Sequence, residues 1–375
     1  MKFTIKTEVL KKWLEVVSHA TATITTTPIL ENILMKVNFW SIVLTSNNLE
    51  MAIEYVIEDD IDISKEGALC IPSKLLTSYI GLVSEDTITL ELMGDDSIQV
   101  SSTSGKIKIK WIQASDFPLI PSIKEDISLT LSGKVVRQSI EKTLFSTAEG
   151  NIRPTLAGIL VKLSGKTAVF ASTDSFRLTE YKAVLETEIK KDFSGIIPSK
   201  TSSEIKNLVD DSMDVKIISG ENQIAFIFWK TRVFSRLLNG QFPDYSNFFP
   251  KSHSTKAEVN KWDLTRALKK INLVSKENNY SIKMSLSSES AILLETSQTQ
   301  IWEWNVTLAG NVDGEDNIVW INSTYFLEVL WVIESTHVSI SFENALAPIM
   351  ILPIQDPEKN RDNTQFKHII MPLKI

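Results

Sequence analysis

At 375 residues the chain is too long for one ordinary core and divides into two or three domains. With 43% hydrophobic and 23% charged residues and no low-complexity tract, it reads as a folded protein throughout, and the absence of any run of 18 apolar residues argues against a membrane span. The formal charge of −7 argues against a nucleic-acid binder with a uniformly basic surface, and the single cysteine, Cys70, excludes an internal disulfide and a cysteine-based metal cluster.

The N-terminal MKFTIKTEVL carries charges where a signal peptide needs an apolar stretch, so a cytoplasmic protein is expected. Along the chain, residues 7–18 read as an amphipathic helix. A second helix is expected from Ser73, a residue suited to capping. Strands follow at 87–92 and 106–110, where apolar and polar residues alternate with period two. Another helix at 133–145 places Val136, Ile140 and Leu144 on one stripe, and Ser199 opens the next. In the last third, Leu264, Ala267, Leu268, Ile271 and Val274 form a helical stripe in 261–277, and residues 282–286 and 338–342 alternate as strands. Between those strands, Asn322 opens a further helix.

This order is one pattern written three times. Asn32-Ile33-Leu34 matches Gly158-Ile159-Leu160 at an offset of 126, as Ile71-Pro72-Ser73-Lys74 matches Ile197-Pro198-Ser199-Lys200. Phe117-Pro118 matches Phe242-Pro243 at 125, and Ile321-Asn322-Ser323-Thr324 follows Ile197 to Lys200 at 124. Helix, strands, helix, strands is an α+β module rather than a parallel βαβ unit. The expected domains are 1–124, 125–252 and 253–375.

Several segments resemble the bacterial DNA sliding clamp family, the beta subunit of DNA polymerase III. They are Arg153-Pro154-Thr155-Leu156-Ala157-Gly158-Ile159, Ser172 to Thr179 (STDSFRLT), Gly240 to Tyr245 (GQFPDY) and Met371-Pro372-Leu373-Lys374-Ile375, in one colinear order with MKFTI and Pro28-Ile29-Leu30. The resemblance implies a head-to-tail homodimer whose six domains close a ring, helices inside and sheets outside, around duplex DNA. Twelve helices of about 10 Å diameter span a circumference of about 120 Å and leave an opening near 28 Å. The implied function is a processivity factor that tethers the replicative polymerase and binds the clamp loader and other clamp-motif proteins. It would be no enzyme, have no cofactor and no metal, and sit in the bacterial cytoplasm, associated with the nucleoid. The other reading is a clamp-like peptide-binding protein that does not encircle DNA.

The charge objection weakens once the six predicted helices are counted apart. They hold 13 Lys/Arg against 8 Asp/Glu, a balance of +5 that leaves −12 for the remainder. A positive lining in a negative shell attracts the phosphate backbone in one place and repels it elsewhere. Candidate DNA contacts are Lys74, Arg137, Arg153, Lys200, Arg266, Lys269 and Lys270, while Ile24 stands where the family pattern expects a basic residue. The lining charge is uneven: helix 261–277 carries five of the 13 basic residues and helix 322–334 none.

The resemblance also implies a pocket between the second and third domains for a short peptide with a Gln and a Leu-Phe pair. The matching positions are Leu156, Thr173, Ser175, Phe176, Arg177, Leu178, Pro243, Phe248, Ile369, Met371, Pro372 and Leu373. Ser175 and Phe176 replace a common Gly and His, and Asn247 stands where an Arg can occur, so the pocket is expected to be narrower and less basic than usual. For ring closure, strand 106–110 is expected to add edge to edge to a third-domain strand, with Ile107 and Ile109 near Leu273 and Val274 and its lysines near Glu303. The four histidines lack metal-ligand spacing, and Asp59-Asp60 and Asp210-Asp211 read as acidic turns.

Overall fold

In the computed structural model, residues 1–94, 96–120, 123–124, 126–150, 153–287, 291–296, 304–354 and 364–374 are described. They form six α-helices in three similar pairs: α1 (Thr7–Ser18), α2 (Ser73–Leu82), α3 (Gly133–Leu144), α4 (Ser199–Leu208), α5 (Lys261–Ser275) and α6 (Ser323–Val332). The strands join into sheets of five, nine and ten, and every neighbouring pair is antiparallel. An antiparallel sheet needs one covered face, which explains the alternation visible in the sequence. The chain is α+β, built from three repeated domains. By compactness it divides into two units, Met1–Lys134 with Asn207–Leu237 and Val135–Lys206 with Leu238–Ile375.

In the first unit, the five-stranded sheet ends on Lys106–Lys110, which pairs only with Ser97–Ser101 and leaves its other edge open among the described residues. The nine-stranded sheet crosses from the first copy to the second where Met51–Ile57 pairs with Thr231–Arg236. Cys70 is fully buried, and burial pushes its thiol up to about 11, so it is a packed apolar residue and not a nucleophile.

In the second unit, the ten-stranded sheet crosses from the second copy to the third where Arg177–Pro198 pairs with Gln365–Ile370. The long hairpin of Gly158–Thr173 and Arg177–Pro198 has a shifted register around Gly165, whose φ of +54° lies in the left-handed region. On α5, Leu264, Leu268 and Ile271 are fully buried and Ala267 is 4% exposed, as the spacing requires, while Val274 is only half-buried. Asn260 caps α5 by accepting from the backbone N–H groups of Trp262 and Asp263. Asn322 caps α6 in the same way, through Thr324 and Tyr325. Ser73 does not cap α2: it is the first helical residue, 3% exposed, and the cap position is Pro72, which has no side-chain acceptor to offer.

The C-terminal end of α6 is held by two lysines. Lys142 of α3 donates to the carbonyl of Val332 and pairs with Glu334 at 2.6 Å, while Lys261 of α5 donates to the carbonyl of Ile333 at 2.6 Å. These cations occupy the negative end of the helix, where orphan carbonyls need donors. Burial holds the Lys261 ammonium below its ordinary range, the Lys142 charge lowers it further, and Glu334 opposes both.

Candidate functional site: an apolar pocket and a basic helix face

The turn between strands Gly158–Thr173 and Arg177–Pro198 is built by short-range polar contacts. Asp174 Oδ1 accepts from the N–H groups of Phe176 (2.9 Å) and Arg177 (3.0 Å), and Thr173 Oγ1 accepts from Ser175 N–H (3.1 Å) while donating to the Arg177 carbonyl (2.6 Å). Ser175 takes a φ of +80°, a left-handed conformation that a glycine adopts at lower cost. The turn projects Phe176 outward, 57% exposed, with its ring 6.4 Å from that of Tyr325 and nearly parallel to it.

Arg177 points the other way and is 7% exposed. Its Nε donates to Asp174 Oδ2 at 2.9 Å, one terminal nitrogen pairs with Glu328 of α6, and the other donates to the Phe145 carbonyl at 2.7 Å. The guanidinium also lies 4.5 Å from the Tyr325 ring centroid. With Nε and both terminal nitrogens engaged, Arg177 joins the turn to α6 and to the end of α3.

Leu156, Leu178 and Ile369 meet in one buried cluster with Leu160, Ala171, Ile196, Phe242 and Tyr245. Phe242 and Tyr245 pack edge to face at 6.0 Å, as do Tyr245 and Phe249 at 6.2 Å. Pro243 and Phe248 are exposed on the same segment. The segment after Gln365–Ile370 is docked by two backbone bonds, Met371 N–H to the Phe176 carbonyl and Leu373 N–H to the Trp320 carbonyl, both 2.8 Å. Met371 is 38% exposed, and Pro372 and Leu373 are half-buried. The predicted pocket residues therefore fall into a buried floor (Leu156, Leu178, Ile369), a turn (Thr173, Ser175, Arg177) and a partly exposed apolar rim (Phe176, Pro243, Phe248, Met371). The aromatic pair Phe242 and Tyr245 and the anchors Asp174, Tyr325 and Glu328 escaped sequence reasoning. Phe242, Tyr245 and Asp174 lie within quoted motifs and so carried a signal, whereas Tyr325 and Glu328 carried none.

The helix residues are placed as follows. Lys74 and Lys200 are exposed in the first turns of α2 and α4. Lys269 and Lys270 are exposed on α5, as is Arg266, which contacts Asp263. Arg137 is half-buried and faces Glu141 at 3.4 Å. Arg153 stands apart from the helices: it donates to Ser175 Oγ at 2.5 Å and lies at the pocket turn. Within the observed helix bounds there are 12 Lys/Arg against 6 Asp/Glu, so the positive balance survives the structure. Ile24 is 96% exposed.

At the free sheet edge Ile107 is half-buried; on α5, Leu273 is 81% exposed. Ile109, two residues on and so on the same face of the strand as Ile107, is 2% exposed and lies opposite Ile98. Glu303 lies outside the described residues. Among the described residues no group of three or more His, Cys, Asp or Glu side chains could hold a metal ion, and no helix is long and apolar enough to cross a membrane.

Comparison with known proteins gives one answer along the whole chain. Family models match in order: DNA polymerase III beta subunit N-terminal domain over residues 1–121, central domain over 130–244 and C-terminal domain over 246–374. The beta sliding clamp of Staphylococcus epidermidis is 26% identical over 382 residues, covering 100% of this chain and 99% of the relative. That of Bacillus subtilis is 24% identical, covering 94% and 95%. Among solved structures, the DNA polymerase sliding clamp of Bacillus subtilis aligns with a TM-score of 0.93 at 23% identity over 100% of this chain and 99% of that one. The beta subunit of DNA polymerase from Streptococcus pyogenes aligns at 0.92 and 23% over the full length of both.

Proposed function

The chain belongs to the DNA polymerase III beta-subunit family, the beta sliding clamps, and from that premise we propose that two copies close head to tail into a ring around duplex DNA. The ring is a processivity factor: it performs no chemistry, slides through weak phosphate contacts and tethers the replicative polymerase. The domains are 1–124, 125–252 and 253–375.

One observation carries the reading. The same antiparallel joint occurs twice within the chain, between Met51–Ile57 and Thr231–Arg236 and between Arg177–Pro198 and Gln365–Ile370. The first-named strands begin at equivalent positions, 51 and 177, and the repeat carries them to Asn305–Gly314 in the third copy. The second-named strands have their first-copy equivalent in Lys106–Lys110. Residues 305–309 pair with 291–295 on one side only, among the described residues, and Lys106–Lys110 is likewise open. Each chain thus ends in the two halves of a joint it has already made twice. Two copies related by a twofold axis would satisfy all four open edges. Ile107, exposed Leu273 and half-buried Val274 fit beside this joint.

Topology, rather than affinity, then retains the ring on DNA, so the lining needs only a modest positive balance. Lys74, Arg137, Lys200, Arg266, Lys269 and Lys270 supply it, with Arg153 nearer the pocket. The apolar rim of Phe176, Pro243, Phe248 and Met371 over buried Leu156, Leu178 and Ile369 supports a site for a short extended peptide with an apolar pair, the means of holding the polymerase, the clamp loader and other clamp-motif proteins. The setting is the bacterial cytoplasm, associated with the nucleoid.

Sedimentation equilibrium tests the joint. The wild-type chain of 42.2 kDa is expected as a dimer and Leu273→Asp as a folded monomer. A wild-type monomer would leave the other reading, a clamp-like peptide-binding protein that does not encircle DNA.

A further inference from the structure

On α5, Trp262, Arg266, Lys269 and Leu273 recur at spacings of four, three and four, so they form one stripe along the helix, and all four are exposed. Trp331, in the last turn of α6, continues the stripe sideways: Lys269 Nζ lies 4.5 Å from its ring centroid. Lys261 Nζ lies 5.0 Å from the ring of Trp262. The result is an indole, a guanidinium, an ammonium and a second indole in succession, with Lys270 beside them and Asp263 the one acid on this face of α5. The indoles are 63% and 67% exposed. Trp13 on α1 shows that this is a choice: it also carries a lysine, Lys12 at 4.7 Å, yet it is 9% exposed and stacked on Tyr55 at 3.3 Å.

Duplex DNA presents phosphates outside and hides the faces of its bases in the stack, so it rewards the cations of this surface and not the indoles. Unpaired bases present free π-faces. A base stacked on an aromatic side chain contributes about tenfold or more in affinity, with little dependence on sequence. Exposed Lys269, beside Trp331, stands where a phosphate flanking a stacked base would lie, while Lys261, beside Trp262, is held by the Ile333 carbonyl; the Arg266 guanidinium offers a further plane. We infer that the Trp262–Arg266–Lys269–Trp331 surface binds single-stranded DNA by stacking bases on Trp262 and Trp331. The inference rests on the reading that this helix face meets DNA. It adds unpaired strand, present wherever a primer ends, to the duplex the ring encloses.

The test is fluorescence anisotropy at low salt with a labelled 20-nucleotide oligo-dT and a duplex of equal length. The variants are Trp262→Ala/Trp331→Ala and Trp262→Phe/Trp331→Phe. The double alanine variant is expected to lose about thirtyfold or more in oligo-dT affinity and under threefold for duplex, while the double phenylalanine variant stays within about threefold for both. Both side chains are exposed, and an unchanged unfolding midpoint checks the fold. Unchanged oligo-dT binding by the alanine variant, or an equal loss for duplex, would overturn the inference. Dimerisation and retention on circular DNA, measured on the same preparations, report separately on the ring: their failure in the wild-type protein contradicts the ring and leaves the oligo-dT result to judge the stacking surface.

Discussion

Thr179 Oγ1 and His368 Nδ1 lie 2.8 Å apart, both residues fully buried and directly opposite in the strand register. The contact ends a chain of hydroxyls whose protons can be counted. Ser172 Oγ donates to the Thr143 carbonyl at 2.5 Å, so Ser146 must donate to Ser172 (2.6 Å), Thr179 to Ser146 (2.7 Å) and His368 Nδ1–H to Thr179. His368 Nε2 has no hydrogen-bond partner among the described residues, which agrees with an unprotonated nitrogen.

The imidazole is therefore expected as the neutral Nδ1–H tautomer, visible in ¹⁵N-resolved spectra of the ring. Burial first, and the Arg177 charge second, hold its pKa well below the ordinary 6.5. Above pH 6.5 histidine is neutral in folded and unfolded chains alike, and it adds no pH dependence. As pH falls through that value the unfolded chain gains a proton that the folded chain refuses, and stability falls by about 1.4 kcal/mol per pH unit until the lowered value is reached. Urea titrations at pH 7.5 and 5.5 should show this loss in the wild-type protein, reduced by one proton's worth in His368→Gln. An equal loss in both would refute the assignment.

Arg177 holds three elements together, so removing it takes the guanidinium from half-buried Asp174, which keeps only its two backbone donors, and from the Phe145 carbonyl. Arg177→Met is expected to lower stability by about 3–5 kcal/mol. Arg177→Lys should recover only part of that, because a point ammonium cannot reproduce the planar fork. Urea unfolding of the two variants measures it, and a change under about 1 kcal/mol for Arg177→Met would show that the network carries little energy.

Much of this was legible in the sequence because it repeats. Apolar periodicity located α1, α3 and α5, a Ser or Asn suited to capping located α2, α4 and α6, and the alternating strands were found within a residue at each end. What escaped was long-range pairing. Nothing local tells Arg177 that its acceptors are Asp174 at one side and Glu328, 151 residues away, at the other. Ser73 was misjudged because three copies were assumed to begin their second helix alike, whereas only Asn322 has a side chain placed to accept from the following N–H groups among the two caps described. The indoles Trp262 and Trp331 lay off the apolar stripe in plain view, and counting charge alone passed over them.

Phe176→Ala removes an exposed rim side chain that stacks near Tyr325 and supports no core. Binding of a labelled peptide with a Gln and a Leu-Phe pair should weaken by about tenfold, with stability unchanged within about 0.5 kcal/mol. Leu178→Ala, from the pocket floor, should instead lower stability by about 2–5 kcal/mol as well as weaken the peptide. Wild-type affinity in Phe176→Ala would remove that residue from the site.

Lys142 and Lys261 both donate to the last carbonyls of α6. Lys142→Met and Lys261→Met are each expected to cost about 1 kcal/mol by thermal unfolding, and the double variant to lose more than the sum, because the carbonyl end of the helix is then left without either cation. Additive losses would show that the two lysines act independently.

Retention on DNA of changed topology tests the ring most directly. The dimer is loaded onto nicked circular DNA, freed of unbound protein, and the DNA is cut once by a restriction enzyme. A ring held by topology remains on the circle through high salt and is lost from the linear ends within minutes of cutting. Retention that is equal on circular and linear DNA, or that disappears from the circle as salt rises, would contradict it.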